Sequence, residues 1–248
     1  MFTTQFRDEL VRLLEEHARC DPRVVGAALV GSAATGGQDR WSDIDLALQI
    51  ADGVDPDDVA DDWTAWLRTE QDVADTLDVH GAGTLFRVFL LANSLQVDLS
   101  FWRRDSFRAT EPGFRVLFGA PNAATEPTLP EPANLVAMAW LYALHSRSAV
   151  ARGRLWQASI MLDGIRERLI SLACLRHGLN PHQGRGVDRL PVGELDALAA
   201  TRPCAVEPEE LRRAHTAGLA ALAEEAARHD QGLADRLAPA LRALALTQ

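Results

Sequence analysis

The segment GSAATGGQDRWSDIDL, residues 31–46, contains the pattern that decides the fold of this chain. It follows the apolar run Val24–Val30 and ends inside a second run, residues 43–50, in which apolar and other residues alternate. Short runs of this kind are typical of strands, and a glycine directly after a strand lets the backbone turn sharply and approach a ligand closely. The segment therefore predicts two strands joined by a loop that is rich in glycine and polar residues.

The acidic residues of the second run are candidate metal ligands. Asp43 and Asp45 are separated by one residue, so on a strand their carboxylates project from the same face. Two adjacent carboxylates repel each other, and a divalent cation relieves that repulsion. Asp98 is an isolated acid in the otherwise apolar run of residues 95–102, and it is the candidate for a third carboxylate. Mg²⁺ prefers carboxylate and phosphate oxygens, and three carboxylates are able to hold two such ions.

Gly31 and Ser32 are the candidate phosphate contacts. A hydroxyl beside backbone N–H groups in a tight turn can face an anion, without the lysine of a Walker-type loop. Gly-Ser and Asp-x-Asp are each common when they occur alone, whereas their combination with strands on both sides and a later strand acid is specific. Ser42, directly before Asp43, is interpreted either as shaping the start of the strand or as an ordinary polar turn residue.

Gly-Ser, ten further residues, Asp-x-Asp and a later strand acid resemble the pattern of the DNA polymerase beta-type nucleotidyltransferase superfamily. The resemblance implies that Gly31 and Ser32 contact the phosphates of the nucleotide. It also implies that Asp43 and Asp45 bind metal, and that Asp98 is a third ligand or the base that accepts the hydroxyl proton. The implied cofactor is Mg²⁺, as two ions, with ATP or another NTP as the donor.

Within this superfamily the chain is most similar to the aminoglycoside and lincosamide nucleotidyltransferases, over residues 24–102 above all. This similarity implies transfer of AMP from ATP to a hydroxyl of a small molecule such as an aminoglycoside- or lincosamide-like antibiotic. Two alternatives stay open: AMPylation of a protein hydroxyl, and a non-catalytic protein that senses NTP. The intact set of acids disfavours the second alternative. A homodimer is also left open.

Composition and charge limit the function classes further. The chain has 248 residues and a formal net charge of −10, so general nucleic-acid binding is excluded and a cationic acceptor is favoured. The N-terminal residues lack the apolar stretch of a signal peptide, and no apolar run reaches the length of a membrane span. The three cysteines are scattered and predict neither a disulfide framework nor a zinc site. We therefore expect a cytoplasmic protein without a membrane or nucleic-acid partner.

The order of the predicted elements indicates two domains. The N-terminal part contains a helix over residues 5–17, an acidic loop over 52–62 that leads into a helix at 59–67, and a hairpin formed by Thr84–Leu91 and 95–102. A proline-rich linker is predicted over residues 112–132. Four helices follow, over residues 133–150, 155–177, 208–229 and 233–246. The predicted fold is an α/β (α+β) domain with a mixed sheet in residues 1–125, followed by an all-α domain in residues 126–248.

The helix at residues 155–177 carries candidate substrate contacts. Asp163 and Glu167 lie four residues apart and share a face, with Arg166 beside it. The alternative interpretation is a solvated face with charge pairs. Because the N-terminal domain alone would leave its acids open to water, we expect the active site in a cleft between the domains, with this helix facing Asp43.

Overall fold

The computed structural model describes residues 1–81, 83–110, 113–126 and 128–246. The chain divides into two compact units, Met1–Thr128 and Leu129–Gln248. No helix in the described ranges is long and apolar enough to cross a membrane.

The first unit is built on a six-stranded mixed sheet with the order β3-β4-β5-β2-β1-β6. The β2–β5 pair is parallel, and the other neighbouring pairs are antiparallel. The strands are β1 (Val24–Val30), β2 (Ile44–Ile50), β3 (Val73–Gly81), β4 (Thr84–Leu91), β5 (Gln96–Arg103) and β6 (Phe114–Phe118), and the helices are α1 (Thr4–Cys20), α2 (Ser32–Thr35) and α3 (Pro56–Glu70). The predicted α/β class with a mixed sheet is confirmed.

The core of this unit follows from the alternation along β2. Ile44, Leu46 and Leu48 are almost completely buried, in one hydrophobic cluster with residues of α1 and α3. Because successive side chains of a strand project from opposite faces, Asp45 projects from the other face of the sheet. The helices α1 and α3 thus cover one face of β2, and Asp45 lies on the face that they do not cover.

The hairpin predicted between Thr84–Leu91 and residues 95–102 is confirmed as the antiparallel β4–β5 pair. The prediction that residues 52–62 form a loop before a helix at 59–67 is wrong in its boundary, since α3 already begins at Pro56. Asp55 is its N-cap, and its side chain accepts a hydrogen bond from the Asp57 amide. Asp at the N-cap followed by proline in the first turn is a strong helix start.

The predicted linker over residues 112–132 is wrong in part, and its first residue, Pro112, lies outside the described residues. Phe114–Phe118 forms β6, which pairs with β1 at the edge of the sheet. Four of the five residues of β6 are apolar, and three of them are β-branched or aromatic: Phe114, Val116 and Phe118. Such residues favour a strand, although the prolines around the segment favour a linker. The strand β3 was not predicted either. It lies at the opposite edge of the sheet, and most of its side chains are exposed. Its sequence therefore has no continuous apolar pattern that would predict a strand.

The described residues of the second unit form helices that are joined by turns and loops, and they contain no strand. It contains α4 (Pro132–Ala151), α5 (Leu155–Arg176), α6 (Val192–Ala200), α7 (Pro208–His229) and α8 (Gln231–Leu246), with short 3₁₀ turns at His182–Gly184 and Val187–Arg189. The core contains residues of α4 to α8, including the side of α5 formed by Leu162, Ile165, Leu169 and Leu172. The all-α C-terminal part is therefore confirmed. Cys174 is buried in the same core, as its apolar surroundings in the sequence predict.

Candidate active site

The parallel pairing of β2 with β5 brings the three predicted acids together. Asp45 lies directly opposite Asp98 across the two strands, and Asp43 immediately precedes β2. One carboxylate oxygen from each of Asp43, Asp45 and Asp98 lies within 4.8 Å of those of the other two. All three residues are half-buried, and no other group of His, Cys, Asp or Glu in the described part of the chain comes together in this way.

The surroundings of Asp98 make its carboxylate more basic than usual. Burial, and to a lesser degree the nearby Asp43 carboxylate, raise the pKa of Asp98 above its ordinary value. Gln96 opposes this change, because its Nε2 donates to both carboxylate oxygens, at 3.0 and 3.1 Å. These hydrogen bonds also fix the orientation of the carboxylate on the face of the sheet. No pattern in the sequence distinguishes Gln96, although it lies two residues before Asp98 and so on the same face.

Gly31 ends β1 in a conformation that only glycine adopts easily, with φ +64° and ψ −137°. A Cβ atom at this position would lie 2.8 Å from Oδ2 of Asp45, so a side chain would collide with the acid cluster. The Gly31 amide donates to the carbonyl of Gly113, at 3.0 Å. Gly31 therefore brings its backbone against the acids, but its own N–H group is already engaged.

The one-turn helix α2 begins at Ser32, directly after this turn. Ser32 is half-buried, and its carbonyl accepts hydrogen bonds from the Thr35 hydroxyl and the Gly37 amide. Among the described residues, the Ser32 hydroxyl has no hydrogen-bond partner within the chain. It is therefore available to a ligand close to Asp45.

The turn before Asp43 is held by a buried arginine that the sequence analysis missed. Arg7 of α1 is 4% exposed, and its guanidinium donates to the backbone carbonyls of Asp39 and Ser42. Ser42 stabilises the same turn, because its hydroxyl accepts a hydrogen bond from the Asp39 amide at 2.9 Å. Ser42 thus shapes the start of β2. The contact of Arg7 with a turn more than 30 residues away could not be predicted from its position in an amphipathic helix.

The donor set fits a hard divalent cation. The three side chains offer only carboxylate oxygens, which Mg²⁺ prefers, and their convergence leaves negative charge that a cation would neutralise. Three protein ligands do not complete an octahedron around one ion. The remaining positions suit water and phosphate oxygens, which is the arrangement required for a metal–nucleotide complex.

The helical unit places the other predicted contacts around a cavity of its own. Asp163, Arg166 and Glu167 of α5 line a cavity of about 980 Å³, together with residues that include Tyr142 and His182. Asp163 forms an ion pair with Arg166, and Glu167 forms one with Arg168. An arginine partner therefore offsets the charge of each of the two acids.

The volume of the cavity and the polar groups that line it are suitable for binding a small molecule. Its volume falls within the range of small-molecule sites. Nη1 of Arg166 is buried without a hydrogen-bond partner in the described chain. Tyr142 packs closely on α5, since a Cβ atom at Gly164 would lie 2.9 Å from its ring.

A comparison of the sequence with models of known families found no match, and a comparison with curated proteins found none either. The structure is similar to that of an aminoglycoside 6-adenyltransferase from Bacillus subtilis, with 11% identity, a TM-score of 0.42, and coverage of 97% of this chain and 98% of that chain. It is also similar to the polymerase core of TRAMP, an RNA surveillance complex, with 13% identity, a TM-score of 0.34, and coverage of 98% and 82%.

A third similar structure is that of the non-canonical poly(A) polymerase complex GLD-2–GLD-3, with 17% identity and a TM-score of 0.31. The alignment covers 73% of this chain and 49% of that chain.

Proposed function

We propose that this chain is a Mg²⁺-dependent nucleotidyltransferase that moves AMP from ATP to a hydroxyl of a small molecule, such as an aminoglycoside- or lincosamide-like antibiotic. The observation that carries the proposal is the convergence of the Asp43, Asp45 and Asp98 carboxylates within 4.8 Å. The acids lie beside a glycine turn that has no room for a side chain, so the backbone and a nucleotide can approach them closely.

Each residue of the cluster has a role in this proposal. Asp43 and Asp45 hold the metal ions, Asp98 completes the set, and the Ser32 hydroxyl donates to a phosphate oxygen. When bound, two Mg²⁺ ions neutralise phosphate charge and lower the pKa of the acceptor hydroxyl. Asp98 accepts the hydroxyl proton, a role that its place in the carboxylate cluster allows. The acceptor oxygen bonds to the α-phosphorus as the bond to the bridging oxygen breaks, and pyrophosphate leaves.

The helical unit contributes acceptor contacts in the same proposal. Asp163, Arg166 and Glu167 line a cavity and offer both donors and acceptors to a hydroxylated molecule. The net charge of −10 opposes a nucleic-acid acceptor. A cytoplasmic location, as expected from the sequence, would supply both ATP and Mg²⁺.

The experiment is an assay of pyrophosphate release from ATP and Mg²⁺ with a panel of hydroxylated antibiotics, followed by mass spectrometry of the products. An adduct of AMP with a small molecule is the expected result. An AMP adduct on an added protein substrate, with no antibiotic modified, would support protein AMPylation instead. ATP binding without any pyrophosphate release across the panel and in cell extract would contradict the proposed reaction and favour an NTP sensor.

A further inference from the structure

A row of registered side chains connects the acid cluster with an apolar part of the same sheet. Leu77 of β3 lies opposite Val88 of β4, and Val88 lies opposite Asp98 of β5. Asp98 in turn lies opposite Asp45 of β2. Residues directly opposite each other on paired strands project from the same face. Leu77 and Val88 therefore continue the row of acids toward the edge of the sheet.

The flanking rows extend this apolar part. Val79 lies opposite Phe86, which lies opposite Ser100, and on the other side Leu90 lies opposite Gln96. Leu77, Leu90 and Val79 are 62%, 48% and 47% exposed, and the other two apolar residues are half-buried. We call these five residues the apolar strip: Leu77, Val79, Phe86, Val88 and Leu90.

The strip differs from the opposite face of the same two strands. On that face Phe89 is fully buried in the core of the unit, and Arg87 forms ion pairs with Asp78 and with Asp61 of α3. The core thus lies on the far side of β3 and β4, and the strip belongs to the face that carries Asp45 and Asp98. Exposed apolar residues that adjoin a polar site are typical of a ligand-binding surface.

The dimensions and charge of the strip define the group that would contact it. Neighbouring strands lie about 4.8 Å apart, so Leu77 lies about 10 Å from the column of Asp98. None of the five side chains carries a charge, although Asp75 lies opposite Leu90 and Asp98 lies opposite Val88. The strip itself therefore favours an uncharged alkyl or aromatic group, because such a group loses no ionic hydration when it is buried there.

We infer that the apolar strip binds an apolar portion of the acceptor while the reactive hydroxyl of the same molecule lies at the acid cluster. This inference rests on the proposed function and narrows its substrate class. The acceptor is an amphiphilic hydroxylated molecule whose apolar group lies within about 10 Å of the hydroxyl that is modified.

The experiment uses the full-length protein with n-hexyl and methyl β-D-glucopyranoside, which have the same hydroxyls and differ only in the alkyl group. Binding of each probe is measured by ligand-observed NMR titration with ATP and Mg²⁺ present, and AMP transfer is measured in parallel. The test variant is Leu77→Thr/Val79→Thr, which keeps strand propensity and changes only exposed positions. The matched control is Val192→Thr, in the helical unit, where the valine is 74% exposed.

We expect the wild-type protein and the control to bind the hexyl compound at least about tenfold more tightly than the methyl compound, since several methylene groups leave water. The double variant should lose most of this preference. Equal binding of the two probes, or a preference that survives in the double variant, would overturn the inference. So would a wild-type dimer that the double variant converts to a monomer, because the strip would then be a subunit interface.

The outcome of this test is separable from that of the proposed function. The stabilisation of the wild-type protein by ATP and Mg²⁺ is recorded in the same samples as a thermal shift. A normal nucleotide shift without any preference for the hexyl probe contradicts the role of the strip alone. A preference for the hexyl probe without a joint effect of ATP and Mg²⁺ contradicts the proposed nucleotidyl transfer.

Discussion

The acid cluster yields the first prediction at the scale of single residues. Replacing Asp43 or Asp45 by asparagine removes a negative charge and, in the proposed function, a metal ligand, while preserving side-chain size. We expect nucleotidyl transfer to fall about 10³-fold or more, because a bound metal ion provides several kcal/mol of transition-state stabilisation. The fold should be retained, with an unchanged circular dichroism spectrum. Substantial turnover in either variant would contradict the assignment of these residues as metal ligands.

Asp98 yields a prediction about stability. Burial and the Asp43 charge raise its pKa in the folded chain, so the ionised carboxylate disfavours the folded state. This cost grows as the pH rises from the unfolded pKa to the folded pKa, and at neutral pH it is fully present. We therefore expect Asp98→Asn to raise the Tm of the metal-free protein at pH 7 and to have a smaller effect at pH 3. A lower Tm at pH 7 would show that the hydrogen bonds with Gln96 outweigh the cost of ionisation.

The contact between α1 and the turn before β2 is the feature to test at the scale of elements. Arg7 is buried and donates to the carbonyls of Asp39 and Ser42, so it holds the turn that positions Asp43. Arg7→Lys keeps the charge but loses the planar fork of donors. We expect the variant to lose about 1–3 kcal/mol of stability. Its kcat should fall about tenfold to a hundredfold through misplacement of Asp43.

The matched control for Arg7 is Arg12→Lys, since Arg12 is an exposed residue of the same helix. This variant should keep both Tm and kcat. A variant at position 7 that is less stable but has the wild-type kcat and Mg²⁺ dependence would show that Arg7 supports the fold without positioning the site. The kcat and its Mg²⁺ dependence are measured well below the Tm of each variant, so that unfolded protein does not affect the comparison.

The elements that the sequence predicted are those whose apolar residues form a short run or recur at a regular spacing. β1, β2 and the β4–β5 hairpin have short apolar runs and a recognisable turn, and α5 has Leu162, Ile165, Leu169 and Leu172 at helical spacing. The edge strand β3 was missed because most of its side chains are exposed and it has no continuous apolar pattern, and the edge strand β6 was missed because the prolines around it favoured a linker. The start of α3 was missed because an acidic run was interpreted as a loop, although Asp55-Pro56 is itself a helix start.

The candidate site was predictable to the extent that local pattern determines it. Asp43 and Asp45 share a face by strand geometry, and Asp98 is a lone acid in an apolar strand, so their convergence follows once the strands pair. The contacts of Gln96 and Arg7 depend on tertiary structure and have no local signal. The ion pairs of Asp163 and Glu167, by contrast, are local to α5, and they match the charge pairs that the sequence offered as the alternative interpretation of this helix face.

The helical unit provides the prediction at the scale of the whole molecule. If α5 contacts the acceptor, Asp163→Ala and Glu167→Ala should each raise the KM for the acceptor about tenfold, the effect of losing one hydrogen bond to a charged group. The affinity for ATP should stay nearly constant, because the acids of the first unit hold the nucleotide. Steady-state kinetics with varied acceptor and varied ATP separates the two effects.

Glu224→Ala is the control for these variants, since Glu224 is an exposed acid of α7 that is also paired with an arginine. It should leave both KM values unchanged. Wild-type kinetics in Asp163→Ala and in Glu167→Ala would contradict an acceptor role for this face of α5. The proposed metal site would remain, because every residue of it belongs to the first unit.

The proposed function depends most on joint binding of metal and nucleotide at the three acids, and a thermal-shift titration tests this directly. Mg²⁺ and a non-hydrolysable ATP analogue are added separately and together to the wild-type protein, Asp45→Asn, and the exposed-acid control Asp105→Asn. The prediction is that the two ligands together raise the Tm of the wild type and the control by more than the sum of their separate effects, and that Asp45→Asn loses this gain. A shift with nucleotide alone that equals the shift with Mg²⁺ present, or a full gain in Asp45→Asn, would contradict the account.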